Sequence, residues 1–195
     1  MSARDISGYR YGGAELGHQH AYLLPILFRL LDGLGLANTQ RRLFELGCGN
    51  GSVANVLAER GWDVTGVDPS VEGIDQARAA YPGLRLECGS AYDDLAGRYG
   101  RFPVVLSLEV VEHVYAPRDY ARTVFDLLSP GGVAILSTPY HGYWKNLALA
   151  LTGRMDRHFT ALWDHGHIKF WSTATLGELL REAGFVDVRF ERVGR

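Results

Sequence analysis

Glu109, Glu112 and His113 stand at i, i+3 and i+4. On a helix those three side chains project to one side, and Val110, Val111 and Val114 take the other. Two carboxylates and an imidazole together form a partial shell for a divalent metal such as magnesium, manganese or zinc. A fourth ligand must come from elsewhere in the chain, and His167 or His165 can supply it. A metal held by Glu109, Glu112, His113 and His167 could grip two neighbouring oxygens of a substrate and lower the pKa of an attacking hydroxyl. Without a metal, His113 is the first candidate for a general base, followed by His141, His165 and Tyr140. The plainer alternative has Glu109 and Glu112 capping a helix, with His113 packed beneath a bound cofactor.

A second constellation lies upstream. Residues 43–51 read Leu-Phe-Glu-Leu-Gly-Cys-Gly-Asn-Gly, so apolar residues run into three glycines at alternate positions. An amphipathic segment follows. The pattern predicts a buried strand, a tight turn free of side chains, and a helix start whose N–H groups face a ligand. Counted from Gly49, the run Gly49-Asn50-Gly51-Ser52-Val53-Ala54 satisfies the dinucleotide pattern GxGxxA. Glu45 and Gly47 argue for another ligand, because a carboxylate there would repel a pyrophosphate but could meet an ammonium group. Asp68 comes 21 residues after Gly47 and can accept both hydroxyls of a ribose. Its other reading is a helix cap before Pro69. Ser90 and Ala91 end the third strand, where an adenine ring would lie.

The elements that must position these groups alternate. Helices are expected over 22–36, 52–60, 71–80, 120–128 and from 173 or 175 to 183. Strands are expected over 43–46, 62–67, 84–88, 102–108 and 133–137, with a turn at 129–132. Val186, Val188 and Phe190 alternate with Asp187, Arg189 and Glu191, which predicts one more, half-buried strand. Such alternation calls for a doubly wound, mainly parallel α/β sheet with helices on both faces. Ligands then sit at the carboxyl ends of the strands, where the glycines, Asp68, Ser90, Glu109 and residues 138–140 converge. Residues 140–171 break the rhythm as a long connection rich in aromatics and histidine, with a short helix over 144–151. Long insertions of this kind are usually lids or binding loops. The expectation is a single domain, 1–195, with 1–40 as an N-terminal helical cap and 140–171 as a lid.

Four segments in register now resemble a known family. Residues 45–51, Val67-Asp68, residues 108–114 (Leu-Glu-Val-Val-Glu-His-Val) and residues 128–132 (Leu-Ser-Pro-Gly-Gly) are similar to the successive motifs of the class I S-adenosylmethionine-dependent methyltransferases. The resemblance covers residues 43 to about 190, and the subgroup it looks like is the ubiquinone-biosynthesis O-methyltransferases. It implies a Rossmann-like fold with S-adenosylmethionine as cofactor. Gly47, Gly49 and Gly51 would line its methionine part, with Glu45, Cys48 and Asn50 among them. Asp68, beside Pro69 and Ser70, would bind the ribose. Ser90 and Ala91 would flank the adenine, although the family often has an acidic residue at Ser90. Leu108 would offer a backbone contact near the sulfonium. The family's seventh, antiparallel strand has no counterpart here, which leaves a sheet edge open and favours a homo-oligomer. The Glu-x-x-Glu-His segment with a later histidine is also similar to the metal site of small-RNA terminal 2′-O-methyltransferases.

Composition sets the outer bounds. The 195 residues suit one full core, at 47% apolar and 22% charged. A net charge of −2 gives no general attraction to nucleic acid. Two cysteines, no signal-peptide pattern and no run of 18 apolar residues point to a cytoplasmic protein without a transmembrane segment. The function expected is methyl transfer to a small aromatic or hydrophobic acceptor, at oxygen. The alternatives are RNA 2′-O-methylation, a nicotinamide-dependent oxidoreductase, and a non-catalytic cofactor-binding domain. The oxidoreductase lacks a Tyr-x-x-x-Lys pair after the central strand.

Overall fold

The computed structural model describes residues 11–163 and 166–194. The elements run α1 (His20–Gly33), β1 (Arg42–Leu46), α2 (Ser52–Glu59), β2 (Asp63–Asp68), α3 (Val71–Ala80), β3 (Arg85–Cys88), α4 (Leu95–Tyr99), β4 (Phe102–Leu108), α5 (Pro117–Asp126), β5 (Leu128–Ser137), α6 (Tyr143–Leu151), α7 (Met155–Phe159) and α8 (Thr173–Glu182). The five strands are all parallel, in the order β3-β2-β1-β4-β5. The order reverses between β1 and β4, which opens a crevice at their carboxyl ends.

Period-two alternation splits the core between the two faces of the sheet. Leu43, Val64, Val104 and Leu106 face α1, α2 and α3, meeting Leu27, Leu31, Leu57 and Ile74. Phe44, Leu46, Val67 and Val105 face α5 and α8, meeting Tyr120, Val124, Leu176 and Leu180. Local signals set the helix starts. Asp94 accepts from Gly97 N at 2.9 Å to begin the unexpected α4. Pro117 opens α5, and Ser172 forms a capping box with Thr175 at α8.

Two differences from the sequence expectation concern the sheet's far edge. Strand β5 starts at Leu128, and the expected turn survives as a bulge: Phe102 pairs Leu128, then Val104 pairs Val133, with Gly131 at φ +76°. The strand expected over 186–190 is absent. Asp187 sits at φ +52°, which breaks an extended run, and Val186 is 83% exposed. Among the described residues β5 has no neighbour on its outer side, so that edge of the sheet is open. Phe185 and Val188 pack onto the α5–α8 core instead.

Neither cysteine is in a disulfide; Cys48 is buried and Cys88 exposed. No helix among the described residues is long and apolar enough to cross a membrane.

Candidate active site

The three glycines adopt left-handed backbone, at φ +85° (Gly47), +53° (Gly49) and +75° (Gly51). The N–H groups of Gly47 and Cys48 both donate to the Val67 carbonyl, at 2.8 and 3.1 Å, which hooks the turn onto the end of β2. Each glycine also makes room for a different neighbour. A Cβ at Gly47 would lie 2.3 Å from Val110 Cγ2, and one at Gly49 would lie 2.5 Å from the Tyr11 hydroxyl. The Cys48 side chain packs on the sheet against Gly66, so only its backbone faces the crevice.

Asp68 accepts from Gly49 N (2.9 Å, Oδ2) and from Ser70 N (2.8 Å, Oδ1). The cap of α3 is Ser70, whose Oγ accepts from Gly73 N at 3.0 Å; Pro69 joins the two. Glu45 is buried beneath the turn, and its Oε2 has no hydrogen-bond partner. Burial first, and the Asp68 charge second, push its carboxyl up to about 8. Ser90 lies at the far side of the crevice. Its N–H donates to Asp93 Oδ2 at 2.7 Å, so an acidic side chain reaches this corner from three residues on. Ala91 packs on the α5-side core, and Leu108 ends β4 beside the crevice.

The segment 11–19 is a strap across the glycine turn. Asn50 Nδ2 donates to the carbonyls of Gly13 (2.6 Å) and Glu15 (3.1 Å). Tyr81 Oη donates to Ala14 O at 2.6 Å, and Gln76 Nε2 to Tyr11 O at 3.1 Å. Sequence reasoning missed this arrangement, because the strap is held through its own carbonyls, which carry no sequence signal.

Residues 109–113 are not the expected helix. Glu109 has φ +55°, and a single turn follows, closed by His113 N donating to Val110 O at 2.9 Å. The reversal is required because β4 must turn sharply where Val110 packs on Gly47. It separates the carboxylates. Glu109 Oε1 accepts from Ser137 Oγ at 2.6 Å, whereas Glu112 Oε2 accepts from Thr138 Oγ1 at 2.9 Å. Glu112, His113 and His167 each present a donor atom, all within 4.8 Å of one another, and Glu109 is not among them. His167 Nε2 lies 4.0 Å from Glu112 Oε1, too far for a hydrogen bond, and that buried oxygen has no other partner. Burial, then the Glu109 charge, push the Glu112 carboxyl up to about 8. His165 lies outside the described residues.

Residues 140–171 close on themselves. Tyr140 and Trp171 form a parallel bridge at the base, and His141 N donates to Trp171 O at 2.7 Å. The returning arm is tied to the turn at 109–113: Ile168 N and Lys169 N both donate to Glu112 O at 2.9 Å, and Trp171 Nε1 to Val111 O at 3.0 Å. His141 is buried among His158, Phe159 and Phe170. Burial, then the charges of Lys145 and neighbouring histidines, lower its pKa to about 4.

The family model for the methyltransferase domain matches residues 16–189. This chain belongs to that family. Its fold is the Rossmann-like fold of the S-adenosylmethionine-dependent methyltransferases. The chain is similar to the ubiquinone biosynthesis O-methyltransferase of Cereibacter sphaeroides, 36% identical over 151 residues that cover 75% of this chain and 61% of that protein. It is 42% identical over 116 residues to the protein of the same name from a Caulobacter species, covering 57% of this chain and 46% of the other. The chain thus spans at most 61% of the length of these two relatives. Among solved structures, an S-adenosylmethionine-dependent methyltransferase from Mesorhizobium loti superposes with a TM-score of 0.59 at 23% identity, covering 83% of this chain and 80% of that one. Another from Archaeoglobus fulgidus gives 0.60 at 17% identity, covering 88% and 74%. In this methyltransferase domain, Ser107 and Tyr120 support the glycine turn. Tyr120 Oη donates to Ser107 Oγ, and Ser107 Oγ to Leu46 O, both at 2.8 Å, linking α5 through β4 to the last residue before Gly47.

Proposed function

We propose that this domain transfers the methyl group of S-adenosylmethionine to an oxygen of a small dihydroxyphenyl-type acceptor held beneath residues 140–171. The observation that carries the reading is the trio of Glu112 and His113, on the turn after β4 that touches the glycine turn through Val110 and Gly47, with His167, from the returning arm of residues 140–171. The name shared by the curated relatives supports oxygen as the target.

The methyl donor is already activated, so the protein's work is alignment and exclusion of water. Glu45 would meet the cofactor's ammonium group, and Asp68 its ribose. Segment 140–171, tied to Glu112 and Val111 through Ile168, Lys169 and Trp171, would cover the acceptor. His113 would take the proton from the attacking hydroxyl.

The trio fits a divalent cation such as magnesium, manganese or zinc. Its buried Glu112 Oε1 has no hydrogen-bond partner, and two imidazoles stand beside it. A cation held by Glu112, His113 and His167 would lower the proton affinity of a bound hydroxyl. The test is methyl transfer from labelled S-adenosylmethionine to catechols, with and without a chelator, alongside calorimetric titration of the divalent ions. Cofactor binding with no product from any catechol under either condition overturns the reading.

A further inference from the structure

The strap at 11–19 leads into α1, and a histidine holds the joint between them. His20 N donates to Gly17 O at 3.0 Å, and Gly17 N donates back to His20 Nδ1 at 2.9 Å. A side chain reaching back three residues to the N–H that opens a helix is half of a capping box, where the acceptor is usually Glu or Gln. Those side chains accept the bond at any pH near neutrality. An imidazole accepts it only while Nδ1 carries no proton.

His20 is therefore neutral when the joint is made, with its proton on Nε2. Protonation removes the acceptor and sets a second N–H against that of Gly17. It also puts a positive charge at the end of α1 where free N–H groups already point. Burial works in the same direction and lowers the proton affinity of this ring, with no charged side chain among the described residues acting against it. The titratable groups around the joint are Glu15 and His18 on the strap and Tyr22 on α1, with Glu109 acting on Tyr22 from the turn after β4.

The joint sets the direction in which the strap leaves α1. Gly12, Gly13 and Gly17 make the segment conformationally loose. Its docking bonds come from Asn50, Gln76 and Tyr81 and end on its carbonyls. At its far end Tyr11 packs over Gly49 and Gly73, where a Cβ would lie 2.5 Å from its hydroxyl and 2.8 Å from its ring, respectively. A fixed exit from α1 lowers the entropy cost of making these contacts, so losing the joint weakens them together.

We propose that His20 is a proton-operated latch: neutral, it fastens residues 11–19 across the glycine turn, and protonated, it lets them go. The folded joint favours the neutral ring, so the latch is fully closed above 6.5, the ordinary histidine value, and opens as pH falls below it. With the cofactor placed against that turn, as in the proposed function on which this consequence rests, an open strap speeds exchange of S-adenosylhomocysteine.

The experiment measures cleavage of the strap by proteinase K in the ligand-free domain at about pH 7.5 and about pH 5, on either side of the histidine range. Each rate is divided by that of a free peptide of residues 11–22. The normalised rate should rise at least about fivefold in acid, as loss of a cap and gain of an unfavourable helix-end charge would give. His20→Gln keeps an acceptor that does not titrate, and should be as slow in acid as the wild type is at about pH 7.5. His20→Leu should be fast at both, and His18→Gln should respond as the wild type does. Circular-dichroism melts check that each variant is folded. A wild-type rate that does not change with pH overturns the latch, as does an undiminished acid response in His20→Gln or one lost in His18→Gln. Release of S-adenosylhomocysteine in acid is then compared between the wild type and His20→Gln by stopped flow, and faster release from the wild type is expected. Equal release with the strap open only in the wild type leaves the latch standing and counts against the cofactor's placement at the glycine turn.

Discussion

The backbone N–H of Gly49 donates to Asp68 Oδ2 at 2.9 Å, while the other oxygen of the same carboxylate accepts from Ser70. One buried side chain thus fixes the glycine turn against the start of α3. Asp68→Ala removes both acceptors. Hydrogen bonds to a charged group are worth about 1.5–3 kcal/mol each, so S-adenosylhomocysteine affinity should fall at least about tenfold, with a lowered Tm. Calorimetry and thermal melts measure both.

On the proposed placement of Glu45 against the cofactor's ammonium group, cofactor binding is a proton-linked event. Its carboxyl titrates at about 8 in the folded chain, against an ordinary value of 4.5. The ionised form is the one that meets an ammonium group, so S-adenosylmethionine affinity should rise with pH between 6 and 8. The slope should approach about tenfold per pH unit well below the folded value. In the same window the folded state holds a proton that the unfolded chain has released, so the Glu45 contribution to stability falls as pH rises from 4.5 to about 8. Glu45→Gln should flatten both profiles.

Asn50 is the anchor of the strap. Asn50→Ala removes the donors to Gly13 and Glu15, leaving the Tyr81 and Gln76 bonds. Limited proteolysis within 11–19 should become several-fold faster, and S-adenosylhomocysteine should leave sooner in a stopped-flow chase. Protection equal to the wild type in both assays would show that the strap does not depend on Asn50.

Gly47 and Val110 are an obligate pair. Any Cβ at Gly47 meets Val110 Cγ2 at 2.3 Å, and φ is +85°. Gly47→Ala should therefore shift the turn that carries Glu112 and His113 and lower kcat by at least about tenfold, as misplacement near reacting groups does. Adding Val110→Ala relieves the clash but not the backbone strain, so partial recovery of kcat is expected.

Tyr120→Phe breaks the bonded chain from α5 to Leu46. Tyr120 and Ser107 are both fully buried, so the loss should be about 1–2 kcal/mol in urea melts.

The sheet was legible because apolar runs such as Val104-Val105-Leu106 have no solvent face, and because each was punctuated by glycine or proline. The carboxyl-end convergence of Gly47, Asp68 and Glu109 followed from parallel topology alone. Residues 109–113 were misjudged because i, i+3, i+4 spacing presumes a helix. Val110 against Gly47, a contact distant in sequence, forces a reversal there that local periodicity cannot show. The alternation at 186–190 misled for a related reason: it presumes an extended run, and Asp187 at φ +52° breaks that run. The strap stayed hidden since its bonds run through main-chain oxygens.

The two cysteines stand at the carboxyl ends of β1 and β3, on either side of β2, yet differ in access: Cys48 is buried in the glycine turn and Cys88 lies at the exposed end of β3, opposite Asp68 in the sheet register. A maleimide dye should therefore attach at Cys88, at the carboxyl end of β3. The domain can be given an optical reporter of ligand occupancy there without introducing or removing a single residue.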